Sequence, residues 1–210
     1  MIYYNHSDIS SLEQRFRTNF VNSLSGFRSL NLIGTADLAN NENLAIFNSV
    51  FHVGANPAML GMVIRPNGPE HGTLKNIIST KSFTINNVLK QFYKNAHQTS
   101  ARYESSISEF TKCNLNSKYI DGFCAPFVAE SSIQIGLILQ EVIPIKANET
   151  TIIIGAIQHV FLNDLILKED GFLDPITAET ITNCGLDAYY QCDLIARLSY
   201  AKPDLEIKLK

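Results

Sequence analysis

Short runs of β-branched and aromatic residues, separated by turn residues, dominate this sequence. The runs 43–52 and 59–66 flank Gly54, Asn56 and Pro57, and this pattern predicts two strands joined by a turn. Further strands are predicted over 30–37, 82–87, 131–145 and 150–161, the last two as a hairpin around 146–149. The pattern favours a mainly β, antiparallel fold with peripheral helices.

Four segments have the periodicity or the caps of helices. An N-terminal helix is predicted over 11–25, because Ser10 and Glu13 have the spacing of a capping box and apolar residues follow at helical spacing. The other helices are predicted over 74–79 after a Thr73 cap, over 88–95, and over 176–182 after Asp174 and Pro175. The remaining segment, about 186–210, could be an arm that reaches a second subunit.

Length and composition indicate one compact domain over residues 1–210. The chain is 45% hydrophobic with a net charge of -3, and no Lys/Arg-rich run is present to follow a nucleic acid backbone. No apolar run approaches the roughly 20 residues of a membrane helix, and the N-terminal residues do not have the pattern of a signal peptide. We therefore expect a cytoplasmic protein that binds neither nucleic acid nor membrane.

The cysteine and histidine spacings give no sign of a metal site. Cys113, Cys124, Cys184 and Cys192 are scattered without a C-x-x-C pair, and the five histidines show no metal-ligand spacing. We expect reduced thiols, no metal and no catalytic side chain of a hydrolase type. A dinucleotide-binding glycine motif is also absent, so a nicotinamide nucleotide would have to bind in a cleft of another kind.

Polar residues interrupt the apolar run 43–52 at Asn48 and Ser49, and Arg65 closes the next run. Polar groups in an apolar strand suggest a ligand. They also have a plainer interpretation, since Asn48 and Ser49 could pair with backbone at a β-bulge and Arg65 could be a surface residue. Because neighbours in a strand point to opposite faces, Asn48 and Ser49 reach one ligand only through a bulge or their backbone groups.

Several blocks, in this order and spacing, resemble the flavin reductase-like family with the FMN-binding split-barrel fold, which includes flavoredoxin-like flavoproteins. The resemblance implies a six-stranded antiparallel split β-barrel and a homodimer with FMN near the subunit interface. The blocks are 43–51, Asn56 with Pro57, Arg65 with Pro66, 73–77, 108–110, 125–131, 169–171, and Gly185 with Tyr189.

The resemblance also implies which residues contact FMN. Ring and ribityl contacts are expected from Phe47, Asn48, Ser49 and Phe51, and phosphate contacts are expected from Arg65, Thr73 and Lys75. A guanidinium and the first turn of a helix both favour an anion. The segment Ser100, Ala101 and Arg102 matches a family segment near the flavin, where Arg102 faces either flavin, a nicotinamide nucleotide phosphate, or solvent. Relatives often carry an arginine where this chain has Asn183 and Cys184, so a C-terminal flavin contact is in doubt.

Three functions are compatible with this pattern. The first is an FMN-dependent NAD(P)H oxidoreductase of the flavin reductase kind, in which NAD(P)H transfers a hydride to the flavin. The second is an FMN-binding electron carrier that serves a partner and reacts poorly with NAD(P)H. The third is an interaction module that keeps the barrel without flavin, since a fold does not fix a function.

Overall fold

The computed structural model describes residues 1–66, 72–104 and 106–210. The helices are α1 (His6–Ser11), α2 (Gln14–Ser23), α3 (Gly72–Thr80), α4 (Tyr93–Gln98) and α5 (Glu109–Lys112), with a 3-10 turn at Asp164–Ile166. The strands are β1 (Arg28–Ser29), β2 (Asn31–Ala36), β3 (Glu42–Phe47), β4 (Val50–Ala55), β5 (Ala58–Ile64), β6 (Ser82–Asn87), β7 (Ser117–Ile120), β8 (Phe123–Val128), β9 (Ile133–Ile145), β10 (Thr150–Leu162), β11 (Thr182–Cys184) and β12 (Ala188–Tyr190).

Seven of these strands form one antiparallel sheet in the order β3-β2-β6-β9-β10-β5-β4. Its two edge strands, β3 and β4, are joined by only Asn48 and Ser49, a link that spans at most about 11 Å. In a flat sheet of seven strands the edges would lie roughly 30 Å apart. The sheet must therefore curl on itself, and it forms a split β-barrel.

Side chains from all seven strands pack into one apolar cluster inside this barrel, together with Ile77 of α3. Seven of the residues that contribute, one from each strand in chain order, are Ile33, Phe47, Val50, Met62, Phe83, Leu137 and Ile153.

The count of seven strands corrects the prediction of six. The run 43–52 is not one strand, because the chain leaves the sheet at Asn48 and re-enters it on the opposite edge at Val50. The predicted turn at Asn56 and Pro57 does join two strands, β4 and β5. The predicted strands 30–37 and 82–87 correspond to β2 and β6, and the predicted long hairpin is β9 with β10.

A second layer, which the pattern did not predict, covers the outside of the barrel at β2 and β6. It is the β7-β8 hairpin, which is tied to the barrel by hydrogen bonds from Thr84 Oγ1 to the Pro126 carbonyl (2.6 Å) and from the Val128 amide to Asn86 Oδ1 (3.0 Å). The two layers approach so closely at Gly34 that a Cβ atom there would lie 2.2 Å from the Pro126 carbonyl oxygen. Every residue of β2 is consequently buried.

The N-terminal helix predicted over 11–25 is wrong in its start and its continuity. The structure has two helices, α1 and α2, separated at Leu12 and Glu13. Glu13 is itself the N-cap of α2, where its carboxylate accepts hydrogen bonds from the Arg15 and Phe16 amides, both at 2.9 Å. The capping box belongs to α1 and consists of Asn5 and Asp8.

Two other predicted helices give way to tertiary contacts. Over 88–95, helix begins only at Tyr93. The Val88 amide donates to the Leu30 carbonyl (3.2 Å) and the Val88 carbonyl accepts from the Ile181 amide (3.1 Å), so both groups are engaged outside a helix. Over 176–182, the structure has a turn rather than a helix. Asp174 does accept from the Ile176 amide at 3.0 Å, but Glu179 has a positive φ of 56°, which ends helical geometry.

Beyond β12 the chain forms no further strand apart from one isolated bridge between Leu198 and Leu209. The role of this segment as an arm to a second subunit stays a prediction. Within the ranges that the structure describes, no helix is both long and apolar enough to cross a membrane.

Candidate functional site

The link between the two edge strands brings distant parts of the chain together. Asn48 Nδ2 donates to Asn183 Oδ1 and to the Gly185 carbonyl at 3.2 Å, so the link is held by the β11-β12 turn. Ser49 donates its hydroxyl to the Val63 carbonyl at 2.7 Å. The backbone interpretation of Ser49 is therefore the one that the structure supports, and its side chain fixes the start of β4.

Two arginines meet next to this link, on Asn22 at the end of α2. Arg65 Nη2 donates to Asn22 Oδ1 at 2.7 Å, while Arg28 Nη2 donates to the Asn22 carbonyl and, at 3.2 Å, to the Gly185 carbonyl. We call Arg28 and Arg65 the arginine pair. Among the described residues, neither guanidinium has a carboxylate within 4.0 Å, and the buried Arg28 Nε has no hydrogen-bond partner. The site thus concentrates uncompensated positive charge, which favours an anionic ligand.

Reasoning from the sequence missed Arg28 and Asn22 and left a flavin contact at Asn183 in doubt. Arg28 lies directly opposite Asn183 in the β1-β11 ladder, so a guanidinium does reach this region, but from another strand. Arg28 also lines a cavity of about 280 Å³, with Phe27, Ile133 and Leu173 among its walls. No local signal marks Arg28 or Asn183, because the contacts of Arg28 with Gly185 and of Asn48 with Asn183 join segments more than 130 positions apart.

The predicted helix cap Thr73 belongs to a second polar cluster, at the other end of β3. Asn43 Nδ2 donates to the hydroxyls of Thr35 (3.1 Å) and Thr73 (3.0 Å), and Asn76 Nδ2 donates to Thr35 at 3.3 Å. A Cβ atom on Gly72 would lie 2.5 Å from Asn43 Oδ1, so the first turn of α3 fits closely against β3. The Thr73 side chain is buried and engaged in this cluster.

The two clusters do not coincide. Asn43 and Asn48 stand five residues apart on and just beyond β3, a separation of about 17 Å in extended chain. Arg65 contacts the first cluster through Asn22, and Thr73 contacts the second through Asn43. A phosphate site shared by Arg65, Thr73 and Lys75 stays a prediction, because the loop 67–71 between them lies outside the described residues. Lys75 is exposed near Asp37, whose pKa is lowered by hydrogen bonds from Asn41 and, less strongly, by the charge of Lys75.

The two predicted aromatic contacts differ in exposure. Phe47 is half-buried and packs on the apolar cluster inside the barrel, so its side chain contributes to the core. Phe51 is 37% exposed, and its ring lies across Gly61, where a Cβ atom would come within 2.5 Å of the ring. Phe51 is therefore the aromatic face that remains available to a ligand.

The segment Ser100, Ala101 and Arg102 is exposed and follows α4. Ser100 donates its hydroxyl to the His97 carbonyl at 2.7 Å. Tyr103 packs on the same apolar cluster as Ile46 of β3, which holds the segment beside that strand. The position is compatible with a ligand lying along β3.

Titratable side chains near β3 include Glu42, Tyr119 and Glu109, whose carboxylate accepts from the Leu44 amide at 3.0 Å. Burial and the neighbouring Glu42 raise the pKa of the Tyr119 hydroxyl, which donates to Glu42 Oε1 at 3.1 Å. In the part of the chain that the structure describes, no group of His, Cys, Asp or Glu is placed to hold a metal ion. The described residues around the site thus offer donors, apolar surface and two hydrogen-bonded pairs of titratable groups, Tyr119 with Glu42 and His97 with Tyr189.

Fold and site together are a curled antiparallel barrel with hydrogen-bond donors and an exposed aromatic side chain beside its edge strands. Residues 24–174 match the model of the flavin reductase like domain. The chain belongs to the flavin reductase-like family. Among functionally curated proteins, none matches this sequence.

Solved structures agree with this assignment. A candidate flavin reductase with a split barrel domain from Shewanella frigidimarina NCIMB 400 is 46% identical and superposes with a TM-score of 0.92, covering 96% of this chain and 100% of that one. Nitrilotriacetate monooxygenase component B from Bacillus cereus is 17% identical and superposes with a TM-score of 0.79, covering 92% of this chain and 98% of that one. Flavoredoxin of Desulfovibrio vulgaris (Miyazaki F) is 21% identical and superposes with a TM-score of 0.70, covering 82% of this chain and 91% of that one. The last two show the shared fold alone.

Proposed function

We propose that this protein is an FMN-dependent NAD(P)H oxidoreductase that works as a cytoplasmic homodimer. The observation that carries the proposal is the arginine pair beside the edge strand of a flavin reductase-like barrel, two guanidiniums that have no carboxylate partner among residues 1–66, 72–104 and 106–210. A phosphate dianion is the ligand group that such a pair binds best, because a guanidinium presents several donors in a fixed plane.

The residues of the chain would divide the work of binding. Arg65 and Arg28 would hold the phosphate, and Asn48, fixed by Asn183 and Gly185, would orient the ribityl chain. Phe51 would supply the flat apolar surface for the ring, and the exposed segment 100–102 would cover its other side. Thr73 would act structurally, because its hydroxyl is already bound within the cluster at Asn43.

The bound flavin would supply the redox chemistry by accepting a hydride from NAD(P)H. The side chains then need only bind and orient the two nucleotides and exclude water, because the hydride transfer itself requires no acid or base from the protein. Four free cysteines are compatible with a reducing cytoplasm. Large exposed apolar residues, among them Phe27, Leu24 and Tyr190, support a homodimer, because monomers rarely leave such residues uncovered in groups.

The absorbance spectrum of the purified protein tests cofactor and reaction together. The protein is expected to be yellow or to become so on titration with FMN, more tightly than with FAD, and NADH or NADPH is expected to bleach the bound flavin rapidly. A colourless protein that binds neither flavin would favour the interaction module. Tight FMN binding with very slow bleaching by both nucleotides would favour the electron carrier and remove the reductase proposal.

A further inference from the structure

The last part of the chain folds back on itself as a short hairpin. Leu198 faces Leu209 in an antiparallel bridge, framed by hydrogen bonds from the Ser199 amide to the Lys208 carbonyl (2.8 Å) and from the Lys210 amide to the Arg197 carbonyl (2.9 Å). We call residues 194–210 the C-terminal hairpin. Because facing residues in such a bridge point to the same side, the two arms share their faces.

The two faces of the C-terminal hairpin differ in chemistry. Alternation along each arm places Leu198, Tyr200, Ile207 and Leu209 on one face and Arg197, Ser199, Lys208 and Lys210 on the other. The apolar face is the exposed one, since Leu198 is 53% exposed, Tyr200 86%, Ile207 55% and Leu209 78%. Arg197 and Ser199, on the polar face, are half-buried.

The polar face is turned towards the body of the protein by specific contacts. The Arg197 guanidinium forms an ion pair with Asp170 and lies 4.1 Å from the centre of the Phe172 ring, and Lys210 Nζ lies 3.9 Å from Asp170. The arm that carries Arg197 and Ser199 is thus attached to the body through its polar side, while Lys208 and Lys210 are exposed and the apolar side faces outwards. This arrangement is the reverse of what burial of apolar surface favours, so the apolar face needs a partner.

We infer that the apolar face of the C-terminal hairpin packs on a second copy of this chain. The body exposes apolar surface of its own at Leu24 (64%) and at Phe27 (60%), whose ring lies 4.8 Å from that of Tyr190. The hairpin cannot cover the apolar surface of its own body, because its apolar face points away from that body. In a dimer with two-fold symmetry, the hairpin of each copy covers apolar surface on the other. The inference rests on the homodimer included in the proposed function and names the surface that forms it.

The charge of the segment does not fit a lipid surface. Residues 191–210 contain four basic side chains, Arg197, Lys202, Lys208 and Lys210, against three acidic ones. Arg197 and Lys210 already face Asp170, so little positive charge is left to attract anionic headgroups. A second copy therefore fits better than a membrane.

Sedimentation velocity of the full-length protein tests the inference. The variant Leu198→Glu/Leu209→Lys places opposite charges across the bridge, which keeps the hairpin pairing while making its apolar face polar. We expect the wild type to be a dimer and this variant to have a dimer dissociation constant at least 100-fold higher. The matched control is Ile195→Glu. Ile195 is fully exposed and lies an even number of residues from Arg197 and Ser199, so alternation places it on their face rather than on the apolar one. This variant should remain a dimer.

The outcomes separate the hairpin from the rest of the proposed function. A variant that stays dimeric at wild-type affinity would overturn the hairpin inference and leave the homodimer standing, whereas a monomeric wild type would overturn both. Recruitment of the wild type, but not the variant, to phosphatidylserine vesicles would assign the face to lipid and overturn the inference as well. An FMN titration of each variant, read by fluorescence quenching, reports the flavin proposal independently.

Discussion

The barrel and the C-terminal hairpin use the same alternation of apolar and polar residues with opposite results. In β2 the alternation sends Ile33 into the barrel and Leu32 against the outer layer, and both are fully buried. In the hairpin the alternating residues Leu198 and Tyr200 are mostly exposed. A period of two fixes which side chains share a face, but only neighbouring elements decide whether that face is covered.

The largest effect is expected where the barrel is packed most closely. Gly34→Val would place a side chain against the Pro126 carbonyl, where even a Cβ atom would come within 2.2 Å, and against Thr84 Oγ1 at 2.6 Å. Because the obstacle is backbone, we expect a loss of about 3 kcal/mol or more in the free energy of unfolding. Urea denaturation measures it. Gly54→Ala is the control, since its nearest neighbour would be 3.3 Å away; equal losses would contradict the two-layer packing.

Thiol labelling compares the two regions directly. Cys113 is buried in the body, and burial raises the pKa of its thiol against a smaller lowering by Tyr103, whereas Cys192 in the C-terminal segment is exposed. A raised pKa means less thiolate at a given pH, so Cys113 should need a higher pH to react. We expect Cys113 to be labelled roughly 100-fold more slowly than Cys192 at pH 8 in the native protein. Mass spectrometry of peptides after iodoacetamide treatment measures both rates.

Denaturant provides the control for labelling, because the two cysteines should react at similar rates once the chain is unfolded. Rapid native labelling of Cys113 would show that the body opens more readily than its packing indicates.

The arginine pair lies on the barrel side of this comparison, where it contacts Asn22 and Gly185. Arg65→Gln removes a guanidinium from the proposed phosphate site, and we expect FMN affinity to fall by more than tenfold, about 1.4 kcal/mol. Lys75→Gln, an equal loss of charge near the other end of β3, should change it little. Fluorescence titration measures both. If Lys75→Gln weakens binding and Arg65→Gln does not, the phosphate lies at the first turn of α3.

The smallest effect on the whole protein is expected at the attachment of the hairpin. Hydrogen bonding to Arg197 lowers the pKa of Asp170 from its usual 3.8, with a further contribution from Lys210. A lowered pKa means that the attachment is present above about pH 3.8 and is lost as the pH falls through the lower folded value. Asp170→Asn should remove it at neutral pH.

Because this ion pair is exposed, the midpoint of thermal unfolding should hardly change in Asp170→Asn. Hydrogen exchange measured by mass spectrometry should instead show faster exchange confined to residues 194–210. Asp164→Asn, also on the surface but outside the ion pairs, is the control. Unchanged exchange in Asp170→Asn would show that Asp170 does not hold the hairpin.

Much of the barrel was predictable because its strands carry their own signals. The runs that became β2, β6, β9 and β10 are rich in β-branched residues and bounded by turn residues, and these signals are local. The helix predicted over 176–182 does not form, because pairing with a distant strand overrides the local signal. Asp174 and Pro175 do begin a turn, but Thr182 and Asn183 pair with Ser29 and Arg28, so the chain continues as strand β11.

The candidate site was predictable only in part. The sequence marked Asn48, Arg65 and Phe51 as residues of interest, and the structure leaves them beside the edge strands. It did not mark Arg28, since an arginine near a glycine has many possible roles in a sequence. Contact between Arg28, Asn22 and Gly185 depends on how β1 pairs with β11, and that pairing spans most of the chain.

By itself, the sequence determined the family, the antiparallel β class and the strands with strong local patterns, because side-chain periodicity and turn chemistry act over a few residues. Only the tertiary structure decided that the run 43–52 divides into the two edge strands of one curled sheet, that Thr73 is engaged internally, and that two arginines share one asparagine. The same is true of the outward apolar face of the C-terminal hairpin. Each of these features depends on contacts between residues far apart in the chain, and such contacts leave no periodic trace in the sequence.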